Sequence, residues 1–316
     1  MQVDNRVTRM LGVEIPIVQA PMGWIARSQL ASAVSNAGAM GIIETSSGEL
    51  DNIRLEIQRM RELTQRPFGV NIAQAFVRDP KIVDFVVEQG VKFVSTSAGD
   101  PRQYTAALKE AGLTVFHVVP SLRAAQRAVD AGVDGLIVEG GEGGGFKNHR
   151  EVATMVLIPL VRERVDVPII AAGGICDGAT MAAAFALGAE GVQMGTSMVS
   201  CAESPVHDNW KQSIVSAAET DTVLLKPPGA PALRALRTEK AERLEQDPAD
   251  AMLALSGNVN AVYFEGRMED GLALTGQVAG RIETVHPVVD IMSATVREFF
   301  ETIERLGKDY PPRPLE

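Results

Sequence analysis

The chain has 316 residues, 46% of them hydrophobic and 22% charged, and a formal net charge of −10. That composition is ordinary for a globular protein and the length suffices for one large core. Basic residues scattered among a surplus of acids argue against a phosphate-backbone binder, so neither nucleic acid nor a membrane surface is expected as partner.

The N-terminal stretch "MQVDNRVTRMLGVEIP" lacks the apolar centre of a signal peptide, and no run reaches membrane-spanning length. A soluble, cytoplasmic protein is the expectation. Short apolar runs rich in Val and Ile then recur at 15–23, 39–47, 67–74, 91–99, 113–121, 132–141, 167–174 and 190–198. Their near-continuous hydrophobicity suits strands buried on both faces, the pattern of a parallel sheet. Between them lie segments of helical period without interior proline, such as "SQLASAVSNAG" (28–38), "RAAQRAVDAG" (123–132) and "ATMAAAFALGAEG" (179–191). A glycine near the end of each supplies a helix stop. Eight strand–helix units at a steady spacing of about two dozen residues predict a closed (β/α)8 barrel, the TIM-barrel architecture. An open doubly wound sheet is the alternative, but the GxGxxG turn it would carry after its first strand is absent.

Residues 203–270 break the rhythm. The stretch "LLKPPGAPALRALRTEKAERLEQDPADAMLALSG" reads as helical and charged, a helical insertion or lid beside a barrel formed by 1–202 and 271–316. Lys226, Arg234, Arg237 and Lys240 within it read as a solvated helix face, with a phosphorylated carrier such as CoA as the alternative role. Residues 271–306 then give a small-residue turn and a long amphipathic helix, a candidate homodimer surface, and "DYPPRPLE" is a tail. The two cysteines, Cys176 and Cys201, are too few for a disulfide framework or a thiolate cluster and read as small buried thiols. The four histidines, His117, His149, His207 and His286, show no i, i+4 pairing, so no metal site is expected.

In a barrel of this kind the active site lies at the C-terminal ends of the strands. That rule selects Pro21, Met22 and Gly23, then Glu44 to Ser46, Asn71, Ser95 to Gly99 and His117. The later strands contribute the glycine loop at 140–145, Gly173 and Gly174, and Gly195 with Thr196. Bare amides after the last two strands, "AAGG" and "MGTS", with a threonine hydroxyl, form an anion nest where barrels hold a ligand phosphate. Such a nest serves nucleotides, flavins and sugar phosphates alike. Neutral polar groups at the mouth without an acidic metal cluster favour a flat aromatic cofactor such as FMN. Asn71, a polar residue ending an apolar strand, has an amide that can donate to a flavin oxygen.

In order, "IPIVQAPMGW", "PFGVNI", "GVDGLIVEGGEGGG", "VPIIAAGGICDG", "ALGAEGVQMGTSM" and "TGQVAGRI" resemble the nitronate monooxygenase (2-nitropropane dioxygenase) family. That family includes flavin-dependent enoyl-acyl-carrier-protein reductases and NADH:quinone reductases. The resemblance implies one noncovalent FMN, with Ala20, Pro21, Met22 and Gly23 against its ring and Asn71 hydrogen-bonding near it. It further implies Gly173, Gly174, Gly195 and Thr196 at the phosphate, Gln277 approaching from the C-terminal turn, and Gly141 and Gly144 letting backbone pass close to the flavin.

The sequence departs from the family at one position. Where the family reads Gly-x-Glu-Ala-Gly-Gly-His, with the histidine as catalytic base, this chain reads Gly140-Gly141-Glu142-Gly143-Gly144-Gly145-Phe146, in gapless register with Pro159 downstream. Phe146 cannot move a proton. A positioned base contributes about 10²–10⁴ in rate, so abstraction of a proton from a neutral nitroalkane should be crippled. Oxidation of a preformed nitronate and hydride exchange with NAD(P)H are spared. His149, about one turn further on if the loop is helical, and His117, ending the fifth strand with its ring towards the mouth, are the candidate replacements. The expected function is FMN-dependent oxidation of a nitronate-like carbanion with dioxygen as final acceptor. The alternatives are an NAD(P)H-dependent reductase of a quinone or enoyl thioester, and a non-redox barrel that binds a phosphorylated small molecule.

Overall fold

The structure is a computed structural model and describes residues 2–312, so the end of the "DYPPRPLE" tail lies outside the described residues. Strands are numbered in chain order. β1 (Ile17–Gln19), β2 (Gly41–Glu44), β3 (Phe68–Ala73), β4 (Phe93–Ser97), β5 (Thr114–Val119), β6 (Gly135–Glu139), β8 (Ile169–Ala172) and β9 (Gly191–Met194) form one parallel sheet. Each lies within one of the apolar runs identified above. Hydrogen-bonded neighbours follow the order β1-β9-β8-β6-β5-β4-β3-β2. The two end strands meet at the Val18–Met40 bridge, where Met40 N–H donates to Ile17 O at 2.9 Å and Gln19 N–H to Met40 O at 3.0 Å. The eight strands thereby make a (β/α)8 barrel.

Alternation along the strands sorts the core into two layers. Val18, Ile42, Phe93, Phe116, Ile137 and Ile170 fill the interior, while Ile17, Ile43, Val94, Val115, Val138 and Val192 face the helices. The two interior phenylalanines fit because their neighbouring strands carry glycine. A Cβ on Gly69 would sit 2.5 Å from the Phe93 ring, and one on Gly135 would overlap Phe116. A helix at Arg6–Leu11, capped by Asn5, contributes Val7 and Leu11 to this interior cluster. Asn5 also donates to Glu190 O, just ahead of β9, at 2.7 Å, so the helix closes the N-terminal end of the barrel. Only the C-terminal end is left for a site.

The predicted helices stop where glycine permits a left-handed turn. Gly38, Gly132 and Gly188 follow Ser28–Asn36, Leu122–Asp130 and Gly178–Ala186 with φ of +88°, +88° and +103°. The long C-terminal helix, Val288–Asp309, packs Val288, Met292, Val296 and Phe299 into the outer layer of the core. Gly178 N–H donates to Glu298 at 2.9 Å, and the Phe185 and Phe299 rings lie 4.9 Å apart. None of the described helices is long and apolar enough to cross a membrane.

The insertion is helical only in part. Helices occupy Asp208–Val215, Glu239–Gln246, Ala251–Ser256 and Val259–Tyr263, but "VLLKPPGAPALRAL" folds as a hairpin of β10 (Thr222–Leu225) and β11 (Ala232–Leu236). Three prolines and Gly229, at φ +70°, cannot continue a helix and turn the chain instead. β11 also pairs antiparallel with β7 (Gly145–Lys147), which leaves the barrel directly after the glycine loop. The three strands have two unlike faces. Val223, Leu225, Leu233 and Ala235 pack on Ala241, Leu244, Ala251 and Leu272 as a separate apolar cluster, with Phe146 against it. Thr222, Arg234 and Lys147 lie on the other face.

Candidate active site

Four backbone segments far apart in sequence converge at the C-terminal end of the barrel. The glycine loop is tied down at both flanks: Gly140 N–H donates to Ala172 O at 2.9 Å and Gly141 N–H to Val152 O at 2.8 Å. The Glu142 carboxylate accepts from Thr154 N–H at 2.9 Å and from Thr154 Oγ1 at 2.8 Å, while its carbonyl accepts from Gln277 N–H at 2.9 Å. Gly173 and Gly174 adopt φ of +87° and +76°, which only glycine takes without strain. A Cβ on Gly173 would lie 3.0 Å from Gly140 O and 3.2 Å from Gly143 N. On Gly276 it would lie 3.0 Å from Gly144 N and 3.1 Å from Thr196 Oγ1. Loops 140–145, 173–174, 195–196 and 275–277 therefore approach with bare backbone. The Thr196 hydroxyl accepts from Gly276 N–H at 2.9 Å, which leaves its proton free to donate. Gln277 joins through its backbone, and its side chain is exposed.

The loop after β1 meets these loops from the neighbouring strand, since β1 pairs with β9. Ala20 N–H donates to Met194 O at 2.9 Å, and a Cβ on Gly195 would lie 3.4 Å from Ala20 Cβ and 4.0 Å from Met22 Sδ. Gly23 passes Ser46 Oγ at a spacing that would put a Cβ at 3.1 Å. Glu44, buried at the end of β2, holds both loops: its carboxylate accepts from Trp24 N–H at 3.1 Å, Ser46 N–H at 2.7 Å and Ser47 N–H at 3.0 Å. That grip keeps Trp24 at φ +68°, a left-handed conformation that a bulky side chain rarely adopts.

Asn71 faces the interior and donates to Ser95 Oγ at 3.0 Å and Ser95 O at 3.2 Å. Gln193 was not singled out from the sequence. Its register partners Val18 and Ala172 belong to the interior cluster, so it too points inward, and its buried Oε1 has no hydrogen-bond partner among the described residues. The signal was the one that marked Asn71, a polar residue in an apolar strand.

The histidines depart from expectation. Phe116 faces inward, so alternation turns His117 outward between barrel and helices. There its Nδ1 is hydrogen-bonded to Thr96 Oγ1 at 2.7 Å, and burial pushes its pKa down to about 4. Residues 145–147 form β7 and His149 follows it outside any helix, so the one-turn spacing does not apply. His149 is exposed and its Nε2 meets Ala230 O at 2.7 Å, on the hairpin turn. His207 caps the helix at Asp208–Val215 and His286 is exposed. Phe146 packs against the insertion's apolar cluster and lies 5.4 Å, ring to ring, from Phe76 in the turn after β3. Burial pushes the Cys176 and Cys201 thiols up to about 12, which removes thiolate chemistry.

Two cations of the small sheet are buried. Arg234 belongs to no solvated helix face. It is buried, and donates from Nε to Gly141 O at 2.9 Å, to Thr222 Oγ1 at 3.3 Å and to both Glu151 oxygens at 3.0 and 3.1 Å. The insertion is thereby stapled to the glycine loop. Lys147 is buried as well, and its ammonium pairs with Glu139 at the end of β6. Arg237 pairs with Glu245 at 2.8 Å, and Lys226 is exposed.

Comparison with known proteins agrees with the barrel fold. The family model described as nitronate monooxygenase matches residues 4–78 and 73–298. FabK from Thermotoga maritima superposes with a TM-score of 0.91 at 41% identity, over 97% of this chain and 99% of that one. The (3aS,4S,5R,7aS)-5-hydroxy-7a-methyl-1-oxo-octahydro-1H-indene-4-carboxyl-CoA dehydrogenase of Mycobacterium tuberculosis is 37% identical over 78% of this chain and 69% of its own. A nitroalkane oxidase from Streptomyces ansochromogenes superposes with a TM-score of 0.82 at 26% identity, over 96% of this chain and all of that one, 100%.

Proposed function

The chain belongs to the nitronate monooxygenase family, whose members are oxidoreductases and use flavin in general, and from that premise we propose an FMN-dependent oxidoreductase that works without a histidine base. It takes hydride from NAD(P)H and passes it to the β-carbon of an enoyl thioester of CoA or acyl-carrier protein, whose α-carbon takes a proton from solvent. One observation carries this reading: the family's base position holds Phe146 beside Phe76, while His117 is turned into the shell and His149 lies exposed against Ala230 O on the hairpin turn. Hydride exchange has no need of a side-chain base, whereas removal of a proton from a neutral carbon acid does. The similarity to FabK and to a CoA dehydrogenase supports the thioester as acceptor.

The donor set suits FMN. The left-handed Gly173 and Gly174, Gly195 and the free proton of Thr196 form an anion cradle that any Cβ would fill. Ala20, Met22 and Gly23 would lie along the ring, and the unpartnered Gln193 Oε1 and the Asn71 amide would meet its polar edge. Bound FMN supplies the two-electron exchange. The protein's own part is to hold the ring against backbone, to keep water out with the Phe76–Phe146 wall, and to orient the acceptor.

Oxidation of a preformed nitronate with dioxygen is the second reading. The family match and the nitroalkane oxidase similarity favour it, and such a substrate arrives already ionised. Anaerobic mixing separates the two. Rapid bleaching of the flavin by NADH or NADPH, followed by reoxidation with crotonyl-CoA, supports the reductase. Bleaching by propyl-2-nitronate alone supports the second reading. A colourless protein that takes up no FMN would overturn both.

A further inference from the structure

The small sheet carries two buried cations on one face, and their hydrogen bonding differs. Each of the three guanidinium nitrogens of Arg234 has a protein acceptor, in Gly141, Thr222 and Glu151. The Lys147 ammonium, with three donors, has one acceptor among the described residues, a Glu139 oxygen. A buried ammonium with donors to spare is costly unless something else accepts them.

Its placement is equally specific. β7 runs straight out of the glycine loop, and alternation sends Phe146 to the insertion's cluster and Lys147 the opposite way. Glu139 has the parity of Ile137, an interior residue, so the pair sits at the inward rim of β6. Gly143 makes room for it: a Cβ there would lie 2.8 Å from Lys147 Nζ and 2.5 Å from Glu139 Oε1. The chain thus carries a buried ion pair whose cationic end lies one residue from the position of the missing base, under the loop that borders the site.

We propose that Lys147 is the site's oxyanion-binding residue. Its free N–H donors meet the negative oxygen of the substrate, either the enolate oxygen that develops on a thioester carbonyl as hydride reaches the β-carbon, or the oxygen of a nitronate. Glu139 is a positioning residue that orients the ammonium. Lys147 supplies hydrogen bonds and no proton, and the α-carbon of the enolate takes its proton from solvent water, so the role is compatible with the loss of the histidine. The assignment rests on the functional reading above for its substrate class, but not for the presence of an anion site.

Two measurements on the FMN-loaded protein test it. Calorimetric titration with nitrate, a planar anion that undergoes no reaction, should show binding to the wild type. Lys147→Met should weaken that binding at least tenfold, and Lys147→Arg should restore much of it. In stopped flow, Lys147→Met should slow reoxidation by crotonyl-CoA, or reduction by propyl-2-nitronate, by about 10²–10³, the range for losing an oxyanion donor. Bleaching by NAD(P)H should change less than about threefold, because no oxyanion forms in that step. The double variant Lys147→Met/Glu139→Gln removes both charges and controls for the instability of a lone buried carboxylate; it should show the same kinetic and binding loss. Equal nitrate affinity in wild type and Lys147→Met would overturn the proposal, whatever the enzyme's substrates prove to be. If neither NAD(P)H nor nitronate bleaches the wild type, the functional reading fails and the nitrate comparison still decides the role of Lys147.

Discussion

His117→Gln tests whether this histidine belongs to the fold rather than to the chemistry. Burial holds the folded-state pKa near 4, against 6.5 in the unfolded chain, so between those values the unfolded state binds more protons. Stability must then rise with pH through that window: the contribution is complete above 6.5 and is lost as pH falls towards 4. The full difference corresponds to about 3 kcal/mol, of which about 2 kcal/mol should disappear between pH 7.5 and pH 5. Glutamine keeps a hydrogen-bonding group for Thr96 but does not titrate. Urea unfolding of wild type and variant at both pH values isolates the term, because carboxylates such as Glu56 and Glu190, both held below their ordinary pKa, contribute equally to the two proteins. The wild type should lose about 2 kcal/mol more than the variant on acidification, and kcat/KM at pH 7.5 should differ less than about twofold, a surface-like effect. Equal acid sensitivity would refute the buried, neutral state. A large loss of activity in a folded variant would refute the outward placement.

Arg234→Met should destabilise the fold by about 2–4 kcal/mol, since it strands Glu151 and the Gly141 carbonyl; urea unfolding reads this directly. The loosened glycine loop should also weaken FMN binding about tenfold by fluorescence of released flavin, a typical cost for one lost charge-assisted contact, and unchanged FMN affinity would confine the staple to the insertion. Phe146→His returns an imidazole to the wall beside Phe76 and should raise turnover of neutral nitroalkane by about 10²-fold. No gain in a variant that still holds flavin would mean that β7 presents position 146 differently from the family's histidine. His149→Ala removes only an exposed contact to Ala230 O, and kcat/KM should stay within about twofold.

The barrel was legible because its strands are buried on both faces and its helices end at glycine, both local consequences of burial and backbone freedom. The glycine-lined loops at the strand ends were legible for a related reason: a doublet there marks left-handed backbone, which Gly173 and Gly174 adopt. The insertion was misread in part because "PALRALR" suits either period when its flanks are ignored. The prolines and Gly229 ahead of it carried the turn signal, but the strand exists because β7 is there to pair with it.

Residue type and spacing determined the family and the barrel, for these rest on patterns that repeat along the chain. What the histidines do was decided by tertiary structure alone. A shift of one residue along a strand sends a side chain to the opposite face, so Phe116 enters the interior while His117 enters the shell, and Lys147 rather than Phe146 lies on the face that meets Glu139. Composition records that a charge is present. Only the packed sheet, which gives Arg234 an acceptor for each guanidinium nitrogen and Lys147 a single one among the described residues, distinguishes the two.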